Sequence, residues 1–254
     1  MQIRGRVGAE VAGAVSRYVG FREQATGPVE RHEGPGRHVV VIVDFGDGWT
    51  IDGEQLHSFV GGLRDRQVET RHEGRSCGIH VDISPPAARR IFGIPLSELA
   101  RGQVPLEDVL DEPSLADRLN DAADWPARFR LLDEVLARRM RSAPGKSSVT
   151  WAWERLVEAH GDLPVGALAD ELGWSRKRLV ARFRDEIGLP PKTAARLLRF
   201  EHARGLAERV KAPDWARIAV GTGYYDQSHL INEFRSFTGR TPETFFQDTG
   251  AAAA

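Results

Sequence analysis

The apolar residues of this chain follow two different rhythms, with the change near residue 145. In the first part they alternate as in strands. Residues 38–45, HVVVIVDF, form a β-branched run that stops at Gly46-Asp47-Gly48, a turn signal, before WTI resumes. Residues 66–72 and 76–83 predict a second hairpin around Glu73-Gly74; in its later strand Cys77, Ile79, Val81 and Ile83 share one face and His80 and Asp82 the other. Ser84-Pro85-Pro86 reads as a helix start, with the serine as cap and proline where its missing N–H does no harm. Short helices are expected at about 85–92, 95–100 and 113–122. A longer one follows at about 125–140, where Phe129, Leu132, Leu136 and Met140 recur at helical spacing.

The stretch 141–148, RSAPGKSS, is polar, carries Pro144 and Gly145 and has no hydrophobic period. Beyond it strand signals vanish. The expected organisation is an α+β N-terminal domain, 1–141, a linker, 142–148, and an all-α domain, 149–250. Trp151 and Trp153, with Leu156 and Val157, open that last domain as packing residues of its first helix.

The helical domain contains a repeat with a period of about fifty residues. LADELGWSRKRLVARFRDEIGLPP, 168–191, aligns with IAVGTGYYDQSHLINEFRSFTGRTP, 218–242. Leu168-Ala169 and Ile218-Ala219 precede Gly173 and Gly223 by the same spacing, and an aromatic follows each glycine, Trp174 and Tyr224. Leu179 and Phe183 answer Leu230 and Phe234, then Gly188 and Gly239, then Pro190 and Pro242. Val165, Leu168, Ala169 and Leu172 make one apolar stripe. The glycines fall where a helix ends and the chain needs positive φ. Ser175 and Asp226 are placed to cap the next helix, and Leu179, Phe183 and Ile187 face inward. The opposite face holds Arg176, Lys177, Arg178, Arg182 and Arg184. One such copy could be an ordinary helical hairpin; two with matching glycines and aromatics predict two helix-turn-helix motifs.

The segment Ile218-Ala219, Gly223-Tyr224, Asp226, Ser228-His229-Leu230, Phe234-Arg235, Gly239, Thr241-Pro242 resembles the signature of the AraC/XylS transcription regulators. The resemblance spans about 150–247. It implies seven helices in which two helix-turn-helix units are joined by a linker helix, here 191–209, where Arg199, Ala203 and Leu206 fit the family pattern. Nineteen residues of helix make a strut of about 28 Å, suited to two recognition helices about one DNA turn, ~34 Å, apart. Two departures stand out: Asn232 occupies a position usually filled by Arg, and the closing pair is Phe246-Gln247, which lacks the usual cation. The stretch PPAARRIFGIPLSELARGQVPLEDV is similar to N-terminal domains paired with this unit, and says nothing of a ligand.

The resemblance implies a sequence-specific DNA-binding regulator with a sensing or dimerisation domain in front. Base edges would be met by Lys177, Val180 and Ala181 in the first unit and by Ser228, His229 and Asn232 in the second. Arg178, Arg184, Gln227 and Arg235 would contact phosphates, and Arg176 and Arg182 complete the cationic face. Double-stranded DNA is the expected partner, with RNA polymerase, a small-molecule effector and a second copy of the chain as further candidates. A β-rich enzyme, or a small-molecule-binding domain, fused to a DNA-binding unit is the alternative.

Bulk chemistry narrows this only slightly. The chain has 254 residues, 41% hydrophobic and 28% charged, and a formal net charge of -1, so total charge does not announce a polyanion partner. The helical part carries a small positive balance and the rest a negative one. No apolar run approaches the ~18 residues of a membrane span, and MQIRGRVGAEVAG lacks the core of a secretory signal, so a cytoplasmic protein off the membrane is expected. His32, His38, His57, His72 and His80 offer no His-x-His spacing, and are expected to be surface or hydrogen-bonded groups rather than metal ligands. Cys77, the sole cysteine, reads as a buried structural thiol. No cofactor and no catalytic constellation are expected.

Overall fold

The structure, a computed structural model, describes residues 1–100, 102–143 and 145–252; the linker residue Pro144 lies outside the described residues. Among the described residues the chain runs through ten strands: β1 Gln2–Gly5, β2 Val15–Gln24, β3 Val29–Glu33, β4 Val39–Asp44, β5 Trp49–Ile51, β6 Glu54–Leu56, β7 Phe59–Gly61, β8 Val68–His72, β9 Arg75–Ile83 and, after two helices, β10 Gln103–Pro105. The helices of this part are α1 Pro85–Phe92, α2 Leu96–Leu99, α3 Leu106–Val109, α4 Leu115–Asp121 and α5 Trp125–Ser142.

Strand alternation decides how the layers stack. The strands form a six-stranded sheet, β1-β2-β9-β4-β7-β10, and a four-stranded sheet, β3-β8-β5-β6, with antiparallel pairs throughout. Across the larger sheet Tyr18, Val81, Val41 and Val60 lie side by side, all buried on the helix-bearing face. There the Tyr18 ring stacks on Phe129 of α5 at 5.8 Å, and its hydroxyl donates to Asp133 at 2.9 Å. The neighbouring row, Val19, His80, Ile42 and Phe59, points the other way, toward the smaller sheet. The predicted faces of β9 are therefore correct, though Cys77 is half-buried rather than buried.

Two predicted hairpins are not hairpins. β8 pairs with β3 and β5, and β9 pairs with β2 and β4, so Glu73-Gly74 carries the chain from one sheet to the other. Gly74 makes that corner at φ 104°, with its carbonyl accepting from Ala25 N–H at 2.8 Å. Gly46-Asp47-Gly48 likewise joins β4 and β5 of different sheets. Ser84 stands at the start of α1, but its side chain makes no capping hydrogen bond; the prolines at the first helical positions suffice.

Seven helices follow: α6 Ser148–Glu158, α7 Val165–Glu171, α8 Arg176–Ile187, α9 Pro191–Ala207, α10 Trp215–Gly221, α11 Gln227–Thr238 and α12 Pro242–Ala252. Gly173 and Gly223 adopt φ 62° and 77° in the two turns, as the repeat predicts. Ser175 accepts from Arg178 N–H at 3.2 Å and Asp226 from His229 N–H at 2.8 Å, each capping its helix. The linker helix is two residues shorter than expected, about 25 Å of axis. The two parts share one continuous apolar core: α1 and α2 pack against the C-terminal end of α8, bringing Phe92, Leu96 and Leu99 into the cluster that holds Ile187 and Leu189.

Candidate nucleic-acid interface and inter-sheet cavity

The inward residues of the two repeats fix which side chains face out. Leu179, Phe183 and Ile187 of α8, and Leu230 and Phe234 of α11, are fully buried. The opposite faces follow from the helical period. Arg176, Lys177, Arg178, Ala181, Arg182 and Arg184 are exposed on α8, with Val180 half-buried; Gln227, Ser228, His229, Asn232 and Arg235 are exposed on α11. All twelve residues singled out in the sequence thus lie on two helices, each preceded by a short packing helix and a glycine turn.

Their neighbours set how free they are. The Arg178 guanidinium lies over the Trp174 ring at 4.5 Å, which holds it beside the turn. Arg182 is already paired with Glu186 at 2.7 Å, and Glu186 also accepts from the Ser147 hydroxyl. Lys177, Arg184 and Arg235 make no ion pair among the described residues. His229 folds back on its own turn: Tyr225 N–H donates to its Nδ1 at 3.3 Å, and the Tyr224 ring meets it edge-on at 5.2 Å. The first helix is strongly cationic; the second carries one cation, Arg235, near its end.

Arg196 of α9 holds the second unit in place. It clasps the buried Glu233 of α11 through two nitrogens, at 2.7 and 2.9 Å, and its guanidinium is pushed up by that pair.

A second site lies between the two sheets, a cavity of about 670 Å³. Its walls are Val19, Phe21, Val40, Ile42, Trp49, Ile51, Phe59 and Val68. Ser76, 3% exposed, presents there a hydroxyl with no hydrogen-bond partner. Charges gather at the mouth. Arg64 is half-buried with no ion pair among the described residues, and burial pushes its pKa down. Arg31 is committed to Glu23 at 2.6 Å, and that hydrogen bond holds the Glu23 carboxyl below its usual range. Burial pushes Asp82 up, yet His80 at 2.7 Å and Arg17 at 2.7 Å outweigh it, and its carboxyl ends below the usual range. The predicted hydrogen-bonded histidines are found: His80 on Asp82, His72 on Glu23 at 3.2 Å, and His38 on Ser16 at 3.2 Å.

The linker helix forms part of the wall of this cavity. Glu201 and Arg204 of α9 line it, and Glu201 accepts from Arg37 N–H at 3.0 Å while Arg37 Nε approaches at 3.4 Å. Burial raises the Glu201 pKa, more than Arg37 lowers it. Nothing in the sequence marked these residues, because the lining is spread over nine strands and one helix, most giving only one or two residues.

A family model described as a helix-turn-helix domain matches residues 168–248. No curated protein sequence matches the chain. Among solved structures, an apo point variant of ToxT from Vibrio cholerae aligns over 90% of this chain and 96% of its own, at TM-score 0.51 and 8% identity. Another ToxT structure from Vibrio cholerae aligns over 90% and 97%, at 0.50 and 10%. ToxT bound to (E)-4-(8-methylnaphthalen-1-yl)but-3-enoic acid aligns over 90% and 97%, at 0.50 and 8%. At such identities the likeness is one of fold, and it extends across both parts of the chain.

Proposed function

We propose that the chain is a DNA-binding transcription regulator of the AraC type, acting through the helix-turn-helix domain at 168–248, and that an effector in the inter-sheet cavity controls it. The observation that carries this is the position of Glu201 and Arg204: the helix that joins the two DNA-binding units is also a wall of the cavity. A ligand there touches the strut directly.

The chemistry of the lining selects an amphipathic anion. Aromatic and aliphatic walls favour an apolar body. Arg64, half-buried and unpaired, favours a carboxylate, which its planar guanidinium binds through two hydrogen bonds. ToxT, of the same fold, has been solved with an aromatic carboxylic acid, and an acid of that class suits this cavity. On the DNA side, α8 and α11 would each enter a major-groove segment. Lys177, Val180 and Ala181 face bases in the first unit and Ser228, His229 and Asn232 in the second. Arg178, Arg184, Gln227 and Arg235 hold phosphates, flanked by Arg176 and Arg182. The protein is a cytoplasmic regulator rather than an enzyme, with a second copy of the chain and RNA polymerase as its protein partners.

The test uses the naphthalenyl-butenoic acid, a set of aliphatic and aromatic monocarboxylic acids, and the matching alcohols. The acids are expected to raise the melting temperature and change affinity for a duplex selected from a random pool, the alcohols to do neither, and Arg64→Ala to abolish the response. If no acid stabilises the protein, or if Arg64→Ala responds like the parent, the effector reading is wrong.

A further inference from the structure

The two helix-turn-helix units differ by one residue at the turn. In the first, Trp174 is followed at once by the cap Ser175; in the second, Tyr225 stands between Tyr224 and the cap Asp226. That extra residue is 90% exposed, the most exposed of the large apolar side chains among the described residues. Its backbone is not loose. Tyr225 N–H donates to His229 Nδ1 at 3.3 Å, and Asp226 takes His229 N–H at 2.8 Å, so a fixed main chain projects a bare phenol beside the start of the recognition helix.

Charge says what the phenol meets. The first turn of α8 supplies Arg176, Lys177 and Arg178, whereas that of α11 supplies Gln227, Ser228 and His229. With Asn232 next on its outward face, α11 reaches the DNA without a cation until Arg235. Ahead of Arg235, the sugar-phosphate backbone beside that groove is left to neutral donors. A tyrosine suits this double task, since its O–H can donate to a phosphate oxygen while its ring lies against a deoxyribose.

We propose that Tyr225 is a DNA-backbone contact of the second unit, its hydroxyl donating to a phosphate that flanks the groove segment read by α11. This rests on the reading of α11 as a recognition helix. The contact is neutral, so it adds affinity without releasing a counterion and carries no sequence preference. Tyr225 thereby does for the second unit, independently of salt, what the Arg178–Trp174 pair does for the first through charge.

The experiment uses the full chain and a duplex selected by it from a random pool. Affinities of Tyr225→Phe and Tyr225→Ala are measured from low to high salt, and single phosphates are replaced by methylphosphonates. Tyr225→Phe is expected to bind roughly tenfold more weakly, with the salt slope and the selected motif unchanged. One methylphosphonate should weaken the parent and leave Tyr225→Phe unaffected. Equal binding by Tyr225→Phe and the parent overturns the proposal. So does a changed motif, or lost transcription with duplex binding intact, which would assign the ring to a protein partner. A parent that selects no motif overturns the reading of α11 itself. Because the side chain is solvent-exposed, helical content and melting temperature should match the parent in both variants.

Discussion

Asn232 and Lys177 sit on equivalent outward faces, but as proposed base contacts they would ask different things of DNA. An amide makes a two-point contact with adenine that no other base offers, while an ammonium is attracted to any phosphate or guanine within reach. Asn232→Ala is expected to relax one position in one half of the selected site, at about 1–3 kcal/mol of discrimination, with non-specific affinity nearly intact. Lys177→Ala should lower affinity across all duplexes and relax at most one position. A selected motif identical for Asn232→Ala and the parent would place α11 off the groove. Glu201 makes a prediction in pH. Its folded-state pKa is raised, chiefly by burial and also by Asp82, against Arg37 and Arg204, so the folded protein binds more protons here than the unfolded chain does. The contribution is complete below the unfolded value near 4.5 and is lost as pH rises through the folded value. The melting temperature of Glu201→Gln minus that of the parent should therefore grow from pH ~4.5 to ~7.5. A difference that is flat or falls over that window would mean the carboxyl is solvated.

Whole elements depend on fewer contacts than their length suggests. α11 is tied to α9 by apolar packing of Phe234 and Phe237 on Phe200 and by the Arg196 clasp on Glu233. Arg196→Ala leaves a buried carboxylate without its partner and is expected to cost about 2 kcal/mol, the partial exposure of Arg196 lowering the loss. Chemical denaturation measures it, and Arg196→Lys should recover part. The helical elements were legible in the sequence because their signals are local: Leu179 to Phe183, the capping Ser175 and the glycine turns all lie within one or two helical turns. The sheets were not. β4 announced itself by its β-branched run and β9 by alternation, but Gly46 to Gly48 and Glu73-Gly74 look the same whether the next strand pairs with the last or crosses to another sheet. β2, the longest strand, passed unread because its polar outer face and Gly20 interrupt the apolar pattern. Of the two candidate sites, the proposed interface was readable since it is a periodic surface on contiguous helices. The cavity exists only once nine strands have been registered.

At the scale of the whole molecule, the shared core bears on the expected two-part division. Removing residues before 149 uncovers Ile187, Leu189 and the end of α8, where Phe92, Leu96 and Leu99 now pack, and breaks Arg89 from Asp185. The fragment 149–250 is expected to keep its helical content and its duplex binding, but to melt about 5–10 °C below the same helices in the full chain. An unfolded fragment would make the two parts one folding unit. The sheet topology has a further consequence, in time. β2 must find β9, with Tyr18 beside Val81 and over fifty residues of chain between them, before the larger sheet can close, whereas the helices α6 to α12 join through near neighbours. Local contacts form quickly and distant ones slowly. On dilution from denaturant the chain should thus recover its grip on DNA first and its cavity later. For that interval it would hold DNA while still lacking the cavity through which an effector is proposed to reach it.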